Sequence, residues 1–158
     1  MNYTIRICVL LSALVVMPLI GAAKGLEIED AWVRMPPPVA DTAAVYLNLV
    51  NSSEHPVQIK SVSSDVSKSA EFHSMMMHGD MMHMAKMGVV KIEAGQTLSF
   101  SPSGNHLMLI DLERSLNAGA HVVITIEDTD GKTYVVHAEV RDMRKMGHDQ
   151  QQHHHHGH

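Results

Sequence analysis

Between Leu26 and Val140 the chain breaks into short runs of β-forming residues divided by turn residues. No stretch there holds a 3.6-residue apolar period over three turns. Leu26 to Met35 alternates in part and ends at Pro36-Pro37-Pro38, through which neither strand nor helix continues. Thr42 to Val50 stops at Asn51-Ser52-Ser53, and Val57 to Val62 alternates apolar with polar residues. Gln96 to Ser101, His106 to Leu112 and His121 to Glu127 are further runs of strand length. Asp130-Gly131, between Ile124-Thr125-Ile126 and Tyr134-Val135-Val136, predicts a two-residue hairpin. Strands this short and this regularly punctuated imply an all-β fold, an antiparallel β-sandwich or Greek-key barrel.

The 158 residues are one domain's worth of chain, and a 45% hydrophobic content is enough for a core. Residues 1–23 read as a cleaved signal peptide. Arg6 precedes an uncharged run from Ile7 to Ile20, and Gly21-Ala22-Ala23 supplies the small residues of a cleavage site. That run is shorter than the roughly 20 residues a spanning helix needs. Cys8 lies inside it, far from the cut, so a lipid-anchored cysteine at the mature N-terminus is not expected. The expected organisation is a signal peptide over 1–23, a folded domain over 24–141 and a flexible His-rich tail over 142–158. No second apolar run is long enough to span a membrane, so a periplasmic product without stable membrane insertion is expected.

Several functions are disfavoured at once. A formal charge of −5 and few aromatic residues argue against a nucleic-acid partner. Past the signal peptide there is no cysteine, which removes disulfides, zinc fingers, C-x-x-C redox chemistry and thiolate-ligated blue copper. No Gly-rich phosphate loop, G-x-S-x-G or H-E-x-x-H is present, so no enzyme is expected.

The chain instead carries 13 Met and 13 His. Between His73 and Met87, seven of fifteen residues are Met (75, 76, 77, 81, 82, 84 and 87) and three are His (73, 78 and 83). Gly79-Asp80 predicts a two-residue turn that pairs His78 with Met81, Met77 with Met82, Met76 with His83 and Met75 with Met84. Directly paired residues share a face. His73, Met75, Met77, Met82 and Met84 then line one face, and Met76, His78, Met81 and His83 the other. His106 and Met108 share a face of a later strand. Two imidazoles and two thioethers converge if those faces meet. A single Met is ordinary core filler, but packing does not explain Met and His on both faces of one hairpin.

Thioether sulfur is soft and uncharged, and it favours Cu(I) over Mg, Ca or Mn. It has no proton to lose, so only the imidazoles make such a site pH-sensitive. Without thiolate, the site should hold Cu(I) yet release it to a Cys-bearing acceptor, which suits a carrier. His55, His121 and His137 read as solvated or packed residues, and Asn51-Ser52-Ser53 matches a weak glycosylation sequon.

His73, ten residues, Met84, twenty-one residues and His106-x-Met108 together resemble the signature of the periplasmic copper chaperone family PCuAC. Ala31-Trp32-Val33-Arg34 before a Pro-containing loop, and Ala44-Val45-Tyr46-Leu47 running to Asn51, are similar to that family's N-terminal part. The resemblance implies a cupredoxin-like β-sandwich with one Cu(I) held by His73, Met84, His106 and Met108. It also implies delivery of that copper to a CuA-type centre of a terminal cytochrome oxidase, so an oxidase subunit or another periplasmic copper protein is the expected partner. The chain departs from the family pattern in two places. Met75, Met77 and Met82 are surplus thioethers that can substitute for or assist the four. His148, His153, His154, His155, His156 and His158 add a tract that reads either as a native tail able to take Cu(II) or Zn(II) or as an expression tag. The competing function is periplasmic copper sequestration without a dedicated acceptor.

Overall fold

The computed structural model describes residues 25–78 and 80–146. The expected signal peptide, and His148, His153, His154, His155, His156 and His158, lie outside the described residues. In order the elements are β1 (Leu26–Arg34), β2 (Thr42–Asn51), β3 (Val57–Ser64), β4 (Ser67–His78), β5 (Met81–Lys86), β6 (Val90–Ile92), β7 (Thr97–Phe100), β8 (His106–Leu112), β9 (His121–Asp128), β10 (Thr133–Arg141) and α1 (Met143–Met146). The chain is all-β, a cupredoxin-like β-sandwich, apart from the one-turn α1 at the start of the stretch read as a tail.

The strands are hydrogen-bonded in the order β5-β4-β8-β2-β1-β10-β9-β3-β6, with β7 on β2. β1 ties the two halves together. It pairs antiparallel with β2, and its end, Trp32–Arg34, runs parallel to β10. The pairing with β2 shifts between Glu29 and Trp32, where Asp30 adopts a φ of 53°. Asp tolerates this left-handed conformation better than most residues, and the Asp30 carboxylate accepts a hydrogen bond from Asn48 Nδ2 at 3.3 Å. A bulge of this kind bends a strand, as its change of partner requires.

The core follows from period-2 alternation. In β9, Val122, Ile124 and Ile126 are fully buried, and in β8 Leu107 and Leu109 are. Val33, Val45, Leu47, Leu49, Phe72, Ala138 and Val140 close the same cluster. Complete burial of each Leu or Ile contributes about 1.5–3 kcal/mol before entropy is counted. In β8 this alternation turns His106 and Met108 away from the core, and in β4 burying Phe72 turns Glu71 and His73 the same way.

Three features differ from the expectation. β6 and the first half of β4 carry too few apolar residues in too short a span to register as strands by sequence. The Asp130-Gly131 hairpin has a three-residue loop, not two. Asp128 N–H donates to Lys132 O at 3.0 Å, Gly131 N–H donates to Asp128 O at 3.1 Å, and Gly131 takes a φ of 80°. The turn-then-left-handed-glycine form suits the twist of the strands. Asp128, 5% exposed, fixes the loop by accepting from the Asp130 and Lys132 amides and from the Tyr134 hydroxyl at 2.9 Å. Burial, then this bond to an anion, pushes the Tyr134 phenol up to about 12. Finally, Asn51 is no surface sequon. It is fully buried, and its Nδ2 donates to the carbonyls of His55, Ile92 and Glu93.

Candidate metal centre

β4 lies between β5 and β8, and register decides which residues meet. Met75 opposes Met84, Met76 opposes His83, Met77 opposes Met82 and His78 opposes Met81, the pairing expected from the Gly79-Asp80 turn. On the other side of β4, His73 opposes His106 and Glu71 opposes Met108. The two faces anticipated separately are therefore one. His73, Met84, His106 and Met108, with Met75 and Met82, all fall on the outer face of three adjacent strands, and Met77 stands in register with Met82.

Two side chains close across the middle strand. His106 Nε2 lies 2.7 Å from Met84 Sδ, and the His73 and His106 rings stand edge to face with centroids 6.0 Å apart. Met108 shares the face one rung further on. The protein also orients both imidazoles. The backbone carbonyl of Gly104 lies 3.2 Å from His106 Nδ1 and can only accept, so Nδ1 carries the proton and Nε2 presents its lone pair. The Glu71 carboxylate lies 3.2 Å from His73 Nε2, which places the proton there and leaves the Nδ1 lone pair open. His73 Nδ1 is buried and has no hydrogen-bond partner among the described residues. A buried imidazole nitrogen without a partner is costly unless something binds it.

Glu71 and Lys86 were not singled out by sequence. Lys86 Nζ donates to Glu71 Oε1 at 2.7 Å, and this bond, foremost, holds the Glu71 carboxyl below its ordinary range. The available signal was spacing, because Glu71 stands two residues before His73 and so shares its face. Such carboxylate–imidazole pairs typically orient metal-binding histidines.

The fit is to a soft ion. Among the described residues no three of His, Cys, Asp and Glu gather as a metal-holding group, and the other donors on this face are thioether sulfurs, which suit soft ions. The exposed thioethers are available for it. Met84 is 56% exposed and Met82 57%, whereas Met87, the last Met of the cluster, packs against the core. His55, His121 and His137 lie on the surface, away from this cluster. Among the described residues no helix is long and apolar enough to cross a membrane.

Comparison with known proteins gives consistent results. Residues 26–140 match the model of the family LpqE-like, described as "Putative lipoprotein LpqE-like". Lxx21020 of Leifsonia xyli subsp. xyli is 29% identical over 122 residues, covering 76% of this chain and 72% of the relative. The copper-bound PCuAC domain from PmoF2 superposes with a TM-score of 0.64 at 22% identity, covering 77% of this chain and 97% of that domain, a likeness of fold. The solution structure of CuI-DR1885 from Deinococcus radiodurans superposes with a TM-score of 0.62 at 31% identity, covering 77% of this chain and 83% of that one. The fold is thus of the PCuAC type.

Proposed function

The chain belongs to the LpqE-like family, and on that premise we propose that it is a periplasmic copper chaperone. It binds Cu(I) through His73, Met84, His106 and Met108 and delivers it to the CuA-type centre of a terminal cytochrome oxidase. The observation that carries this reading is the convergence of His106 Nε2 and Met84 Sδ beside the buried His73 Nδ1, which has no hydrogen-bond partner among the described residues. The copper-bound PmoF2 domain and CuI-DR1885 support it as proteins of the same fold.

The donor set suits a cargo. Two imidazoles and two thioethers are neutral, so the bound ion keeps its charge and is not trapped as it would be by thiolate. Glu71 and the Gly104 carbonyl fix the ring tautomers, which lowers the cost of arranging the ligands at the moment of binding. Release starts where the site is open. Met84, more than half exposed, is the ligand an incoming acceptor donor can displace first, while His73 stays anchored by Glu71. Met75 and Met82 extend the same face toward the hairpin tip and, with Met77 in register opposite Met82, are assigned as auxiliary thioethers. The histidine tract from 148 onward is assigned to capture of Cu(II).

The exposure of thioethers beyond the four favours a second reading, sequestration of copper without a dedicated acceptor. Transfer kinetics separate the two: a chaperone loads an apo oxidase fragment faster than copper released to solution does. The site itself is tested by X-ray absorption at the copper edge of the Cu(I)-loaded protein. Mixed nitrogen and sulfur scattering is expected, and a shell without sulfur rules the site out.

A further inference from the structure

We propose that the opposite face of the β4–β5 hairpin is a second soft-metal site, built from Met76, Met81 and His83. It shares no residue with the set His73, Met84, His106 and Met108.

The argument begins with where the sheet ends. β8 pairs with β4 only as far as His73, while β5 follows β4 to the His78–Met81 pair. The outer part of the hairpin therefore projects past its neighbour on that side. On the face that would continue the core beyond Phe72, Met76 is 55% exposed and Met81 66%. Side chains that open gain little from packing, and edge strands ordinarily carry charge at such positions to discourage association. Thioethers here need another explanation than stability.

Register supplies one. Met76 stands directly opposite His83, and His78 directly opposite Met81. Directly opposed residues place their Cβ atoms about 4.5–5.5 Å apart, so the Met76–His83 rung brings one thioether and one imidazole within reach of a common ion. Met81, one rung further out on the same face, adds a second sulfur, and all three donors are neutral like those of the face behind them. Neutral soft donors of this kind select Cu(I) among biological cations. One sheet thickness separates the two sets, so each can fill without taking ligands from the other. The hairpin thus carries two ions, one held against the sheet and one on its free side.

The test is Cu(I) titration of the full-length protein under reductant, in competition with a chromogenic cuprous chelator. Wild type is compared with the triple variant Met76→Leu/Met81→Leu/His83→Gln and with the double variant His106→Gln/Met108→Leu. Backbone amide spectra confirm that each variant is folded, and any copper held by the histidine tract is common to all three and cancels. The triple variant is expected to retain one Cu(I) fewer than wild type. The methyl carbons of Met76 and Met81 are expected to shift on titration in wild type and in the double variant alike. Equal capacity of the triple variant and wild type, or methyl signals that stay still, overturns the second site. If the double variant loses no capacity while the triple variant does, the second site stands and the ligand set proposed above for the chaperone falls.

Discussion

His106 and Met84 touch although their strands are not neighbours: Nε2 of one lies 2.7 Å from Sδ of the other, across the intervening β4. The contact is possible because His106 opposes His73 and Met84 opposes Met75, so both side chains lean toward the gap between two adjacent rungs. Replacing Met84 by Leu keeps the volume and removes the sulfur. Cu(I) affinity should fall by more than the roughly 10- to 100-fold that loss of an outer-shell partner costs. Stability should stay within about 0.5 kcal/mol, since the side chain is largely exposed. Chelator competition and thermal melting together check this, and unchanged affinity excludes Met84 as a ligand.

Glu71 acts one step behind the ligands. It accepts from Lys86 and faces His73 Nε2. Glu71→Gln retains an acceptor but also offers an N–H, which permits the other His73 tautomer and occupies the ring nitrogen differently. The expected result is a roughly 10- to 100-fold loss of Cu(I) affinity with the sulfur part of the absorption spectrum unchanged. Loss of the sulfur signal instead would mean that Glu71 holds the whole face together.

Asn51 binds three backbone carbonyls from a fully buried position. Asn51→Ala leaves these acceptors short of a donor and should cost about 1–3 kcal/mol in a denaturant titration. The same burial means that Asn51-Ser52-Ser53 gains no glycan in a glycosylating host, which a mass measurement reads directly.

Tyr134 supplies a pH dependence far from the candidate site. Its folded-state value of about 12 lies above the ordinary 10, so the contribution of its protonated hydroxyl is complete below pH 10. That contribution is lost as the pH rises from there through about 12. Melting temperature should drop over this window, and Tyr134→Phe should flatten the drop while lowering stability at neutral pH through the lost bond to Asp128.

Much of the site could be read along the chain because it is local. The observed pairing runs from His73–Lys86 to His78–Met81 as the sequence predicts, and this register with strand alternation assigns His73, Met75, Met76, Met81, Met82, His83 and Met84 to a face. That β8 lies beside β4 is not local, since it depends on which strands the closing sandwich brings together. Spacing along the sequence contains no direct record of it. Glu71 carries no such signal, because a lone acidic residue in a strand looks like any solvated position until its neighbours Lys86 and His73 are placed. The weakness of the sequon at Asn51 has a related reason: three residues match a pattern, but the side chain's partners include the carbonyls of Ile92 and Glu93, 41 and 42 positions away. The loop at Asp130-Gly131 is one residue longer than its dipeptide signal implies, because the buried Asp128 carboxylate stabilises the longer turn.

β1 forms parallel bonds to β10, so the first described strand is joined to the last one. That seam cannot form until the chain is present as far as Arg141, and pairings between distant segments are slow to form. Closure of the sandwich therefore waits for its final described strand, and a chain shortened before β10 would leave one side of β1 unpaired and the two halves of the sandwich without their link.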